Sequence, residues 1–516
     1  MQLRRVSQYL STRDRSTSNI KTVNLVKKPP NHEYPRHIWT LGDTLSTMVV
    51  FICAALLRFV NLGSLSDQET PVFDEKHYVP QAWDMVETWM NPILGGIESN
   101  PGYGLVVHPP LGKQLIALGE MLYGYTPFGW RAVGALLGAL TITLIMAITR
   151  QLTRSTGLAT TAGVIALSDG FLLVISRFAL LDVFQTFFIT AASWALIRDW
   201  LQVSARYEDR HESLYGPPIG FRWWRFACGV FLGLALSVKW SGLYYMAFFG
   251  ILSVILDYRT RARSGTLSPF VGTLMRDSWR AFTHLVILPV ALYIWSWRAW
   301  FASETSIYHH VASDGTLGDD SFIKLLPEGL AGWTYYHSEV LKFHASLTTS
   351  AGHQHPFESK PWEWLVGIKP ILYFSQTDIP CGPTACRRML YLFGTPALWW
   401  LVIPVIIAAL WLVLIKKDWV LVIPLWTFAA GFIPWLIGYD RQMYFFYAAP
   451  LIPMVIVMLT YLLGKIIHRR PRGGTVIVSI YLGILIAQFF YFMPLFFGFI
   501  LPDSAYDALA WIPAWR

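Results

Sequence analysis

Runs of about 20 apolar residues recur along the whole of this 516-residue chain, and that repetition limits its fold more than any motif does. A helix rises 1.5 Å per residue, so roughly 20 apolar residues span the hydrocarbon core of a bilayer. Such runs fall near 44–63, 130–150, 157–175, 180–200, 224–239, 241–256, 280–300, 396–415, 418–437, 442–464 and 474–500, about eleven in all. Only 14% of residues are charged, against about 25% in a soluble domain. The 24 Trp and 24 Tyr suit aromatic belts at two interfaces. The expected class is an all-α polytopic membrane protein.

Positive charge orients the set. Arg150 and Arg154, the loop with Arg206, Arg210 and Arg222, the loop with Arg259, Arg261, Arg263 and Arg276, the Lys416-Lys417 turn, and Lys465 with Arg469, Arg470 and Arg472 alternate onto one face. Residues 1–43 are polar and basic, contain Pro29-Pro30 and have no apolar period, so they read as a disordered cytoplasmic tail rather than a signal peptide. With cations inside, eleven crossings make 44–500 the membrane module and put 501–516 outside. The long segments 64–129 and 301–395 are then both external. The net charge of +9 is spread over short loops and does not point to nucleic acid.

The first external segment carries the chemistry. It reads PVFDEKHYVPQAW, a Gly/Asn/Pro-rich connector, then HPPLGKQLIALGEMLYG. It holds adjacent carboxylates, Asp74 and Glu75, and the aromatics Phe73, Tyr78, Trp83 and Trp89, within a largely acidic stretch (Asp67, Glu69, Asp84, Glu87, Glu98). After His108-Pro109-Pro110, Leu111, Leu115, Leu118 and Leu122 recur at helical spacing apart from Lys113, Gln114 and Glu120, as expected of a helix lying in the membrane interface. Six cations, Arg58, Arg131, Arg177, Lys239, Arg298 and Arg441, stand at the outer ends of spans. Cations at that depth are costly and need partners. Asp169, Asp182 and Asp440 are available as internal ones, and as a group the six suggest an anionic, lipid-linked phosphate.

The second external segment is rich in His and Trp. His337, Leu341 and His344 share a helical face, and His353 and His355 form an HxH without a third ligand at defined spacing, so no metal is expected. Cys381 and Cys386, in CGPTAC, are placed for a local disulfide where that side is oxidising, whereas Cys53 and Cys228 sit in apolar spans as packing thiols. A Walker loop, a Rossmann fingerprint and a nucleophile elbow are all missing. The energy of any reaction must therefore come from a substrate already activated in the membrane.

At FDEKHYVPQAW (73–83), HPPLGKQL (108–115), WRAVGALLGAL (130–140), SRFALLDVF (176–184), GLALSVKWSGLY (233–244), YHSEVLKFHASLTT (336–349), HPFESKPWEW (355–364) and RQMYFFYAAPLIP (441–453), the chain resembles the protein O-mannosyltransferases. These stretches occur in family order over most of 45–465. The resemblance implies the GT-C membrane fold and transfer of mannose, with inversion, from polyprenyl-phosphate-mannose to Ser or Thr of exported polypeptides. It places the chain with the bacterial, especially actinobacterial, branch, because 301–395 is too short for the β-trefoil of eukaryotic relatives. Asp74 is then the base or acceptor-positioning group, and Glu75 a holder of structure or of Arg58 or Arg131. Arg441, Lys113 and Lys239 are candidates for the lipid phosphate and His108 for the sugar, with Arg58, Arg131, Arg177 and Asp182 near them. His344, His355 and Trp362 fall to the acceptor side. The implied partners are the lipid donor, membrane lipids, the acceptor chain and a secretion translocon; no cofactor is implied beyond the donor.

Two other classes compete. Another GT-C transferase using a polyprenyl-phosphate sugar shares the phosphate logic but not HPFESKPWEW or VKWSGLY. A lipid or sugar transporter would place broken helices near the midplane, whereas polar residues here gather at the outer ends of spans. The topology itself is open to test. A cysteine replacing Asn100 should react with an impermeant thiol reagent on intact cells, and Ser264→Cys should not; labelling at 264 from outside would reverse the orientation.

Overall fold

A computed structural model of the chain describes residues 39–66, 70–87, 107–207, 213–352, 355–382 and 384–515. Most of the basic tail lies outside these residues, as do Asp67, Glu69, Trp89, Glu98, Asn100, Arg210 and His353. In chain order α1 (Leu41–Phe59) leads to α2 (Glu75–Glu87) and α3 (Leu111–Tyr123). Then come α4 (Pro127–Thr153), α5 (Thr156–Leu167), α6 (Gly170–Ile175), α7 (Leu181–Arg206), α8 (Trp223–Val238) and α9 (Gly242–Arg263). A helical stretch with two π turns covers 269–302, and α10 (Glu328–Ser346) crosses the second external segment.

Among the described residues, six helices are long and apolar enough to cross a membrane: α1, α4, Pro396–Leu414, Trp419–Ile437, Phe445–Arg469 and Pro471–Phe497. α5 and α8 are apolar but shorter. Each of the eleven windows is largely helical, yet eleven full crossings are not established. Window 157–175 shows one reason. Asp169 ends α5 and caps α6, accepting from Leu172 N at 3.2 Å, while its carboxylate also takes Thr395 N at 3.2 Å and Trp399 Nε1 at 3.0 Å. A single predicted span is thereby two helices joined at a capped break.

The outer surface is that of a lipid-solvated body. α1 exposes Leu45, Met48, Val49, Ile52 and Leu56, and Pro471–Phe497 exposes Val476, Ile477, Ile480 and Ile484. Uncovered apolar area on this scale calls for lipid as solvent. One end of the bundle is closed by buried ion pairs. Arg150 binds Asp43 at 2.5 Å, Arg222 and Arg225 share Asp199 and Asp257, and Arg261 binds Asp277 at 2.6 Å. These join the start of α1 to the end of α4, and the end of α7 to the start of α8 and the end of α9. The opposite helix ends carry Arg58, Arg131, Asp182 and Lys239.

One feature differs from the expected all-α arrangement. The segment 301–395 ends in a hairpin, β1 (Ile371–Cys381) against β2 (Thr384–Leu392), and β2 also pairs with β3 (Ile500–Pro502). Cys381 and Cys386 are disulfide-bonded near its turn. The alternation of this short hairpin is masked by flanking apolar runs. The facing of α3 suits the interfacial helix expected from its leucine spacing. Its buried side is Gly112, Lys113, Ile116, Ala117, Gly119 and Glu120, while Leu118, Met121 and Leu122 are exposed. A Cβ on Gly119 would lie 2.3 Å from Gly129 O, so α3 meets α4 backbone to backbone through small residues and leaves its leucines outward.

What fastens α2 to the bundle is one ion pair. Glu75 and Arg131 are both fully buried. Arg131 Nε and Nη2 donate to Oε1 and Oε2 of Glu75 at 2.7 Å each, and the carboxylate also accepts from Val72 N at 3.0 Å and Ala179 N at 2.9 Å. Arg131 further donates to the Leu62 and Ser64 carbonyls and to Ser66 Oγ. Breaking a buried pair by removing one partner strands a charge and costs about 3–5 kcal/mol. Glu75→Gln should therefore lower the melting midpoint in detergent markedly, while Glu87→Gln, on the exposed end of α2, should leave it nearly unchanged.

Candidate active site

Asp74 precedes α2, and its orientation is set by its neighbours. Phe73 takes a left-handed backbone conformation (φ 55°), which costs a non-glycine residue about 1 kcal/mol or more. Its ring stacks on Tyr373 at 4.4 Å and meets the Phe446 edge at 6.4 Å. Glu75, the next residue, is held by Arg131. Asp74 is thus clamped from both sides. Burial raises its carboxyl to about 6, Lys239 works against that rise, and Asp182 adds to it.

Lys239 stands where α8 turns into α9. It leaves the helix in extended conformation, and the corner is tight because a Cβ on Gly242 would lie 2.6 Å from the Leu236 backbone. Its ammonium binds Asp182, at the start of α7, at 2.7 Å and sits over the rings of Phe446 and Tyr447. Gln185 Nε2 donates to the Lys239 carbonyl at 3.3 Å and to Ser241 Oγ at 2.9 Å, locking the corner.

Arg441 reaches the same place from the other side. Residues 438–444 are laid against the second external segment: Arg441 bridges Thr348, Glu358 bridges Tyr444, Gln442 N donates to Leu347 O, and Ser359 N to Met443 O. Lys360 reinforces this strap through Glu358 at 2.5 Å, Thr349 Oγ1 at 2.9 Å and the Arg441 carbonyl at 3.4 Å. Arg441 Nη2 donates to His344 Nδ1 at 3.0 Å. Guanidinium only donates, so Nδ1 of His344 accepts and its Nε2–H points to Val107 O, 3.3 Å away. Burial, with Arg441 and Lys239 adding to it, lowers His344 to about 4. Arg441 Nε is buried with no protein partner.

Between these groups lies a cavity of about 350 Å³ whose wall includes His108, Asp182, Lys239, Trp240, His344, Trp435 and Arg441. His108 lies 6.0 Å from Tyr78 and 6.1 Å from His344, ring to ring. Burial lowers its pKa well below the usual histidine value, with the cations Lys239, Lys113 and Arg441 contributing, so it is neutral. Arg441 and Lys239 form the cationic end of the wall, where Lys239 is already paired with the Asp182 carboxylate, and Asp74 lies in the field of that pair.

The structure sorts the residues singled out from the sequence. It brings His108, Asp182, Lys239, His344 and Arg441 into one wall, with Asp74 in the electrostatic field of Lys239 and Asp182. Lys113 is buried on α3, and His108 feels its charge. It does not bring Arg58, Arg131 or Arg177 there. Arg58 donates to Ala54 O and Leu172 O, Arg131 holds Glu75, and Arg177 donates to the carbonyls of Leu57, Arg58, Val60 and Asn61. These three guanidiniums donate to backbone carbonyls and a buried carboxylate, and none of them is among the residues that line the cavity. His355 packs against Tyr444 on the strap, and Trp362 is exposed near Tyr439. Neither lines the cavity. The sequence reading missed Trp240, Tyr244, Tyr447, Trp435 and Gln185 as wall residues. Aromatics beside Lys239 in VKWSGLY and after Arg441 in YFFYAAP were the available signal.

Comparison with known proteins agrees with this geometry. Residues 126–302 match the family model described as dolichyl-phosphate-mannose-protein mannosyltransferase, and 330–515 match the C-terminal four-transmembrane region of protein O-mannosyltransferase. A polyprenol-phosphate-mannose–protein mannosyltransferase of Corynebacterium glutamicum is 55% identical over 99% of this chain and 100% of its own length. That of Mycobacterium tuberculosis is 41% identical over 92% of each. The Pmt1-Pmt2 protein O-mannosyltransferase complex of Saccharomyces cerevisiae, solved with its sugar donor, contains a chain that superposes with a TM-score of 0.69 at 16% identity, over 92% of this chain and 93% of that one. The fold is accordingly GT-C, and the chain belongs to the protein mannosyltransferase family.

Proposed function

We propose that Asp74 is the group that activates the acceptor and that the cationic end of the cavity holds the lipid phosphate. The chain is a membrane-embedded glycosyltransferase that moves mannose from polyprenyl-phosphate-mannose to protein. The observation that carries the site reading is the cavity wall that joins Lys239 to Arg441, with Asp74, a carboxyl raised toward neutrality, in the field of Lys239.

The acceptor is a Ser or Thr hydroxyl of an exported polypeptide. Its oxygen attacks the anomeric carbon of mannose from the face opposite the phosphate and inverts it. The hydroxyl proton passes to Asp74, and the C1–O bond breaks with its electrons going to the polyprenyl phosphate. A phosphate leaving group needs no proton when cations meet its charge as it grows. Arg441 Nε and the Lys239 ammonium serve that purpose, and no metal or other cofactor is required. His344 is fixed as a neutral ring that steers Arg441, and His108 lies toward the sugar.

The cavity opens at the external ends of the spans, with the basic loops on the cytoplasmic side. The Cys381–Cys386 disulfide supports an oxidising, extracytoplasmic location for the hairpin. Membrane lipids surround the spans. A secretion translocon that delivers unfolded acceptors is the partner this orientation favours.

Purified chain, lipid donor and a Thr-containing peptide in detergent test the reading directly: mannosylated peptide is expected, and its absence with folded protein would sink the proposal. Asp74→Asn should lower turnover by roughly 10²–10⁴-fold with little change in donor affinity. Arg441→Ala should weaken donor binding by about 10- to 100-fold, the worth of a charge-assisted hydrogen bond, and slow transfer as well. The pH profile has a definite sign. Only ionised Asp74 accepts a proton, so kcat/KM should rise tenfold per pH unit below about 6 and level off above it. A profile flat down to pH 5 would remove Asp74 from the base role.

A further inference from the structure

The hydroxyl of Tyr373 serves no step of the mechanism, and four observations converge on this residue. It sits in β1 at the point where pairing with β2 slips, Leu372 facing Tyr391 and Phe374 facing Leu390, so that Tyr373 is the extra residue of a β-bulge. Bulges re-aim a side chain and are frequent beside active sites. The re-aimed ring is clamped, stacked on Phe73 at 4.4 Å with planes 14° apart and set edge-on to Phe178 at 5.4 Å. Phe73 is the strained residue immediately before Asp74.

The phenol oxygen is buried and has no hydrogen-bond partner in the protein, on a side chain only 4% exposed. An unpartnered buried hydroxyl is unfavourable, and a phenylalanine would fill the same space without that cost. The hydroxyl lies in the field of Asp182, Asp74, Glu75 and Tyr78, and burial together with those charges raises its pKa well above the usual phenol value. It is therefore a fixed O–H donor that cannot serve as a base. Three carboxylates surround this hydroxyl, and the nearby cations Lys239 and Arg131 are already paired with Asp182 and Glu75, so the spot disfavours a further anion such as phosphate. A neutral ligand carrying alcohol groups fits, because the carboxylates accept its hydrogens while the phenol donates to its oxygen.

We propose that Tyr373 of the hairpin is a substrate-contacting residue, donating a hydrogen bond to an aliphatic hydroxyl oxygen held beside Asp74. This rests on the transferase reading above. The alcohol has two sources in that reaction, the hexose being transferred and the acceptor side chain. The hairpin thereby contributes a donor to the site as well as a scaffold.

Tyr373→Phe separates this role from a structural one, because it keeps both ring contacts and deletes only the hydroxyl. The full chain is assayed with polyprenyl-phosphate-mannose and a Thr peptide, and its melting is measured in detergent. The expected result is a melting midpoint equal to or above that of the native chain together with a loss of about 3- to 10-fold in kcat/KM, the worth of one neutral hydrogen bond. A rise in KM confined to the donor lipid assigns the bond to the hexose, and one confined to the peptide assigns it to the acceptor. Native kcat/KM in the variant overturns the proposal. So does a lowered melting midpoint, since it shows that the hydroxyl is partnered within the fold. Asp74→Asn run alongside keeps the two readings apart: if it too transfers normally, the site assignment fails rather than the role of Tyr373 alone.

Discussion

The Glu75–Arg131 pair is the interaction on which the site depends. It lies between a loop that must be positioned and helices that are already rigid, and it is bidentate, dry and fully satisfied. The two remaining acceptor sites of Glu75 are taken by backbone amides on either side, Val72 in the loop and Ala179 before α7. A pair of this kind contributes little net stability relative to well-packed apolar residues. Its value is geometric. It fixes where α2 begins, and hence where Asp74 points, to within the tolerance of two parallel hydrogen bonds.

From that anchor the site follows as a division of labour among cations. Arg131 and Arg177 spend their donors on carbonyls and on Glu75, tying α4 and the loop after α1 together, while Arg58 donates to two carbonyls and keeps its Nε unpartnered, away from the residues that line the cavity. Lys239 and Arg441 are held differently. Lys239 has one carboxylate partner and two aromatic faces, and Arg441 shares a single ring nitrogen of His344 while its Nε stays without a protein partner. Donor capacity left over after folding is what an incoming phosphate can use. The neutrality of His108 and His344 follows from the same crowding, because burial and neighbouring positive charge both oppose a third and fourth cation.

Much of the fold was legible because lipid as a solvent imposes a coarse rule, a stretch of about 20 apolar residues per crossing, which six of the described helices meet. The rule fails where polar atoms are satisfied locally, as at Asp169, whose carboxylate caps α6 and accepts from the 395–399 turn, so that one window becomes two helices. At α3 the small residues packed against α4 leave Leu118 and Leu122 exposed, the facing an interfacial helix needs. The hairpin at 371–392 escaped because its apolar positions merge with the following span.

The sequence by itself determined the membrane class, the charged residues available at the helix ends and the adjacency of Asp74 to Glu75, since these depend on composition, span length and covalent neighbours. It could not choose which of six similar cations are structural partners and which face a ligand. That choice rests on contacts between residues far apart in the chain, such as Arg131 with Glu75, Lys239 with Asp182 and Arg441 with His344. Tyr373 makes the same point most sharply. It is an ordinary strand tyrosine in sequence, and only the packed structure supplies the bulge, the stack on Phe73 and the neighbouring carboxylates on which its proposed role rests. A charge or a hydroxyl acquires its role from the dielectric and the partners around it, and those exist only once the helices have packed.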